Sequence, residues 1–154
     1  MTFHRMKMPL IDTHCHVQAE AFDADRAETL ERARLSLEAC IIVGDDLDAS
    51  HRAIALCGPG IYAITGVHPY HAALLWSGTP TTESAAARDA LRSLALSPGV
   101  VGIGETGLDY FRYCATPKAI QRQAFIIQLE LARELNLPVV IHNRDAHEDV
   151  SAIL

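Results

Sequence analysis

Leu10-Ile11-Asp12-Thr13-His14-Cys15-His16 reads as a short apolar strand that ends in two histidines. Residues at i and i+2 of a strand project to one side, so His14 and His16 share a face with Asp12 while Cys15 turns the other way. The pattern recurs along the chain in Ile61-Tyr62-Ala63-Ile64-Thr65-Gly66-Val67-His68, Val100-Val101-Gly102-Ile103-Gly104-Glu105 and Val139-Val140-Ile141-His142. With Cys40-Ile41-Ile42-Val43-Gly44 these give five strand candidates, at 10–15, 40–44, 61–66, 100–105 and 138–142. Each is apolar on both faces and closed by Gly, His or Glu, as buried parallel strands are.

Helical patterns fill the intervals. The first spans about 24–38, with Asp25 and Glu28 in capping-box spacing and Leu30, Ala33 and Leu37 along one side. The second covers about 47–57 and stops at Gly58-Pro59-Gly60; the third, about 82–96, stops at Ser97-Pro98-Gly99. The fourth has Thr116 as cap and Pro117 in its first turn, stripes Ile120, Ala124, Ile127, Leu131 and Leu135, and ends at Asn136 in the left-handed conformation. A fifth begins near Asp145. Five βα units in series predict an α/β fold with a parallel sheet and right-handed crossovers. Strand starts roughly 20 to 40 residues apart match the repeat of a TIM-type (β/α) barrel, of which this is about five of eight units in a single domain, 1–154.

Composition excludes several classes. The chain has 154 residues, 49% hydrophobic and 21% charged, with a formal net charge of −6. That is an ordinary globular makeup with no basic surface of the kind that binds nucleic acid by charge alone, although a bound dication can offset an acidic surface. Cys15, Cys40, Cys57 and Cys114 lack C-x-x-C pairing and read as reduced thiols. Met8-Pro9-Leu10-Ile11 is too short for a signal core and no apolar run reaches a membrane span, so the expectation is a cytoplasmic protein without a membrane partner. Neither a Gly-rich phosphate loop nor a G-x-S-x-G elbow is present.

The chemistry-bearing residues sit at strand ends, where parallel α/β folds place their sites. His14 and His16 offer two imidazoles to one space; otherwise they are two half-exposed side chains at a strand end. Asp12 is placed to orient an imidazole through its second N–H. Glu105 ends its strand inside Gly102-Ile103-Gly104-Glu105-Thr106-Gly107 and has two oxygens with which to bridge two ions, unless it turns outward in a flexible loop. His142 enters the same mouth from the fifth strand, as a ligand or as a hydrogen-bonded core residue. His68 is expected to contact substrate or to support a ligand, and Arg144 to grip a phosphate or pair with a surface carboxylate. Tyr70, Trp76, Tyr110 and Phe111 fall in loops at the mouth, as stacking surfaces for single-stranded bases or as ordinary packing. His4, His51, His71 and His147 read as solvated.

Taken together, Ile11-Asp12-Thr13-His14-Cys15-His16, Gly66-Val67-His68-Pro69, Gly102-Ile103-Gly104-Glu105-Thr106-Gly107-Leu108-Asp109-Tyr110 and Pro138-Val139-Val140-Ile141-His142-Asn143-Arg144-Asp145-Ala146 resemble the TatD family of metal-dependent deoxyribonucleases, a branch of the amidohydrolase superfamily. The resemblance implies a distorted TIM barrel holding two divalent ions (Mg, Mn or Zn). The pair matching His14 and His16 would hold one ion, the catalytic Glu105 would bridge both, and His142 would serve the second. It implies water attack on a nucleic-acid phosphodiester, with single-stranded DNA as substrate. Family positions on later strands, a histidine and an aspartate, lie beyond Leu154. The expectation is therefore an N-terminal portion of such a barrel, without efficient hydrolysis of its own unless a second copy or a C-terminal polypeptide completes it, and with open sheet edges that self-associate or accept that polypeptide. An amidohydrolase acting on a C–N or ester bond, and a non-catalytic metal-binding or interaction fragment, are the alternatives.

Overall fold

A computed structural model describes residues 10–154; the expectation for His4 lies outside them. Five strands, β1 (Ile11–Cys15), β2 (Ala39–Val43), β3 (Ile61–Thr65), β4 (Val100–Asp109) and β5 (Val139–Arg144), form one parallel sheet in the order β1-β2-β3-β4-β5. Helices α1 (Arg26–Ser36), α2 (Leu47–Ala55), α3 (Thr82–Ala95), α4 (Lys118–Leu135) and α5 (His147–Ile153) alternate with the strands, and Pro69–Leu74 forms a 3-10 turn after β3. The sheet curls into a half-barrel, with β1 and β5 as its two edges among the described residues. No helix among them is long and apolar enough to cross a membrane.

The core lies between sheet and helices. Cys40, Ile42, Ala53, Ile61 and Ala63 pack with Leu30 under α1 and α2. Ala95, Ile103 and Ala132 fill the space between α3, β4 and α4, while Leu108, Phe125, Ala146 and Val150 seal β4, α4 and α5. Ile11 is 56% and Tyr62 39% exposed, so apolar surface on β1 and β3 meets solvent.

Three local expectations are corrected. Asp25 makes no side-chain cap bond; its carboxylate instead accepts from Thr29 Oγ1 at 3.3 Å. The capping box is at α3, where Thr81 Oγ1 accepts from Ser84 N at 3.0 Å and Ser84 Oγ accepts from Thr81 N at 3.1 Å. The buried face of α4 is Gln121, Ala124, Phe125, Gln128 and Ala132, rotated from the aliphatic stripe, because two glutamine amides bond to the sheet. Thr116 does not cap α4, whose N-cap is Pro117; its Oγ1 donates to Tyr70 O at 3.0 Å, while Asn136 does close the helix in the left-handed conformation, at φ 53°.

Strand β4 also runs four residues past Glu105. It stays paired to β5 through Thr106↔Ile141, Gly107↔His142 and Asp109↔Arg144, with a register shift between Ile103 and Thr106. Gly107 permits this pairing: at φ 142°, a Cβ there would lie 2.1 Å from His142 O. Glycine marks a close approach of two backbones here, where the sequence suggested the end of a strand.

Candidate metal centre

Tight backbone contacts hold the strand ends together. Gly66 lies so near β4 that a Cβ would meet the Gly104 carbonyl carbon at 2.4 Å. Just past β2, Gly44 O accepts from Glu105 N at 2.9 Å and Asp45 O accepts from His68 N at 2.8 Å. Glu105 and His68 are thereby fixed to a common support.

Glu105 stands at the centre. Its Oε2 is 3.4 Å from His14 Nε2, and its Oε1 is 2.9 Å from His142 Nδ1. His14 Nε2 and His16 Nε2 are 3.2 Å apart. Two overlapping donor groups result, His14–His16–Glu105 and His68–Glu105–His142, with the ligand-capable atoms of each group within 4.8 Å of one another. Glu105 belongs to both. Imidazole nitrogens with carboxylate oxygens form a mixed N/O donor set that suits zinc, manganese and related divalent ions, so the residues present fit such a group.

Each imidazole's second nitrogen bears on its role. His142 Nε2 is 3.0 Å from Asp109 Oδ2, and Asp109 is 1% exposed. A buried carboxylate there accepts from Nε2–H, the arrangement by which carboxylates orient metal-binding histidines, while Nδ1 faces Glu105. His68 is set the opposite way. Its Nδ1 accepts from Tyr70 N at 3.2 Å, so its proton belongs on Nε2, 3.1 Å from His142 Nδ1. Asp12 does not orient an imidazole; its Oδ1 accepts from the backbone N of His14 at 3.1 Å.

Electrostatics follow this geometry. Burial pushes the His68 imidazole down to about 4, and the neighbouring His142 charge adds to the effect, so His68 is neutral near pH 7. The hydrogen bond to Glu105 raises His142 above its usual value against the effect of burial, with Asp109 adding to the rise. Burial alone would raise Glu105, but the His142 hydrogen bond and the His14 charge hold its carboxyl below the ordinary range.

Arg144 is exposed, and its guanidinium carbon lies 3.7 Å from the Phe111 ring centroid. It therefore stacks on a ring at the mouth and has no carboxylate partner among the described residues. His51, His71 and His147 are exposed, away from both donor groups.

Two features escaped the sequence. Asp109 was legible only as part of a motif; an extended strand past Glu105 would have set positions 105 and 109 on one face. Gln121 and Gln128, two helical turns apart on α4, were hidden beside an aliphatic stripe. Gln128 accepts from Val67 N at 2.8 Å and donates to Val67 O at 2.9 Å, holding the residue before His68.

A sequence profile described as "TatD related DNase" matches residues 11–154. The chain is 42% identical over 148 residues to the "Uncharacterized metal-dependent hydrolase YabD" of Bacillus subtilis, covering 94% of this chain and 54% of that one. It is 41% identical to the "3'-5' ssDNA/RNA exonuclease TatD" of Cronobacter turicensis, covering 94% and 53%. Among solved structures, the TatD homologue YJJV from Escherichia coli superposes with a TM-score of 0.76 at 28% identity, over 93% of this chain and 54% of that one. A hydrolase TatD family protein from Entamoeba histolytica has the same fold, with a TM-score of 0.77 at 24% identity, over 96% and 54%. The chain spans about half the length of the curated relatives it matches.

Proposed function

Because this chain belongs to the family described as TatD related DNase, we propose that its five βα units form one domain carrying a dinuclear centre for hydrolysis of nucleic-acid phosphodiesters. The observation that carries the reading is the Glu105 carboxylate, whose two oxygens face two different imidazole sets at 3.4 and 2.9 Å. In the proposal His14 and His16 hold one divalent ion, His142 the other, and Glu105 both. Bound ions would supply Lewis acidity toward the phosphoryl oxygens and lower the pKa of a coordinated water.

The chain's own residues supply the rest. Asp109 accepts from His142 Nε2–H, so that Nδ1 is the atom that would meet an ion. His68, neutral and with its Nε2–H directed into the site, donates a hydrogen bond to a non-bridging phosphate oxygen. Arg144, stacked on Phe111 at the mouth, offers its guanidinium to a flanking phosphate.

The test combines metal stoichiometry with degradation of single-stranded DNA in manganese. Wild-type protein, supplied with a C-terminal polypeptide that completes the barrel, is expected to bind two ions and release nucleotides. Glu105→Gln should bind at most one ion weakly and release none. A wild-type stoichiometry of zero, or equal cleavage by Glu105→Gln, overturns the proposal.

A further inference from the structure

The segment after β4 carries cations and rings beyond the Arg144–Phe111 stack at the mouth. Arg112 has its guanidinium carbon 4.8 Å from the Tyr113 ring centroid and 5.7 Å from that of Phe111. The two rings meet edge to face at 5.1 Å and 79°, and Lys118 Nζ stands 4.0 Å above the Tyr110 ring. Tyr113 is 70% exposed, which leaves a ring face open to solvent.

Charge sharpens the point. Arg26, Arg32, Arg34, Arg92 and Arg122 all pair with carboxylates, whereas neither Arg112 nor Lys118 has one within ion-pair distance among the described residues. Three of the cations without a carboxylate partner, Arg112, Lys118 and Arg144, lie on aromatic faces, although the chain's net charge is −6. The patch is tied to the site, because Phe111 N donates to Asp109 Oδ1 at 2.9 Å while Asp109 Oδ2 faces His142.

We infer that the loop carrying Phe111, Arg112 and Tyr113, with Lys118, is a docking platform for single-stranded DNA, a base lying on the open ring of Tyr113 and adjacent phosphates against Arg112 and Lys118. This rests on the nuclease reading of the neighbouring centre. Aromatic faces with flanking cations bind unpaired bases without sequence preference, and duplex bases have no free face to offer. The platform offers ring faces and N–H donors, the groups that take unpaired bases and phosphates.

Fluorescence anisotropy with labelled dT10, in EDTA so that neither metal nor cleavage contributes, tests the platform apart from the chemistry. Tyr113→Ala is expected to weaken binding at least about fivefold and Tyr113→Phe to leave it unchanged. Arg112→Gln and Lys118→Gln should each flatten the dependence of log K on log salt by about 0.7. The inference is overturned if dT10 does not bind, if Tyr113→Ala binds as wild type does, if duplex binds as well as the single strand, or if rU10 binds more tightly than dT10. Failure of the nuclease reading looks different: Tyr113-dependent binding would persist without degradation in manganese.

Discussion

Gln121 clasps the backbone of Asp109, its Oε1 accepting from Asp109 N at 2.8 Å and its Nε2 donating to Asp109 O at 2.9 Å. Both groups are buried, so the side chain completes the last turn of β4 as a neighbouring strand would. Gln121→Leu fills a similar volume but strands a buried N–H and a buried C=O. A loss of about 2–4 kcal/mol is expected in urea unfolding. Gln128→Leu should behave alike through Val67.

In the proposed centre Asp109 would act on metal through His142. Asp109→Asn still accepts a hydrogen bond but no longer supplies a charge to hold the imidazole. Affinity for manganese or zinc by isothermal titration should fall about 10–100-fold while the thermal midpoint moves little. An unchanged affinity would remove Asp109 from the proposed centre.

Gly66→Ala places a methyl 2.4 Å from the Gly104 carbonyl carbon, and neither backbone can yield without moving β3 from β4. Overpacking of this kind costs about 1–3 kcal/mol or more, with a fall in melting temperature of several degrees or loss of soluble protein. Gly58→Ala, whose added Cβ would come no nearer than 3.9 Å to the Arg34 side chain, is the matched control and should melt as wild type does.

At the sheet's other end α5 is fastened by Asp149, which pairs with Arg122 at 2.7 Å and accepts from the Tyr110 hydroxyl. The Arg122 and Tyr110 hydrogen bonds hold the Asp149 carboxyl below its usual value of 3.8. A depressed carboxylate stabilises the fold above its unfolded-state pKa, and that contribution fades as pH falls through the folded-state value. Amide exchange in α5 should therefore quicken below about pH 4 relative to α4, and Asp149→Asn should abolish the difference.

The alternation of short apolar runs with helical patterns made the half-barrel legible, and strand ends pointed to His14, His16, Glu105 and His142 before any coordinates. What stayed hidden was relational. Nothing in Gly104-Glu105-Thr106-Gly107 tells a loop from a strand whose glycines admit the backbone of β5, and that choice decides whether Asp109 is a surface residue or the buried partner of His142. Gln121 and Gln128 read as the polar side of an amphipathic helix until the sheet supplies Asp109 and Val67 for their amides. The helix face that packs is chosen by those bonds as much as by the aliphatic residues.

His14 belongs to β1 and Glu105 to β4, three strand spacings away, or about 14 Å across a flat sheet. Their side-chain tips are 3.4 Å apart only because the sheet is strongly arched. An ion held between them would act as a bowstring, storing no strain while the arc is kept and resisting any flattening of β1 through β4. Metal loading should then register far from the ligands, as slower opening of the backbone along the whole arc.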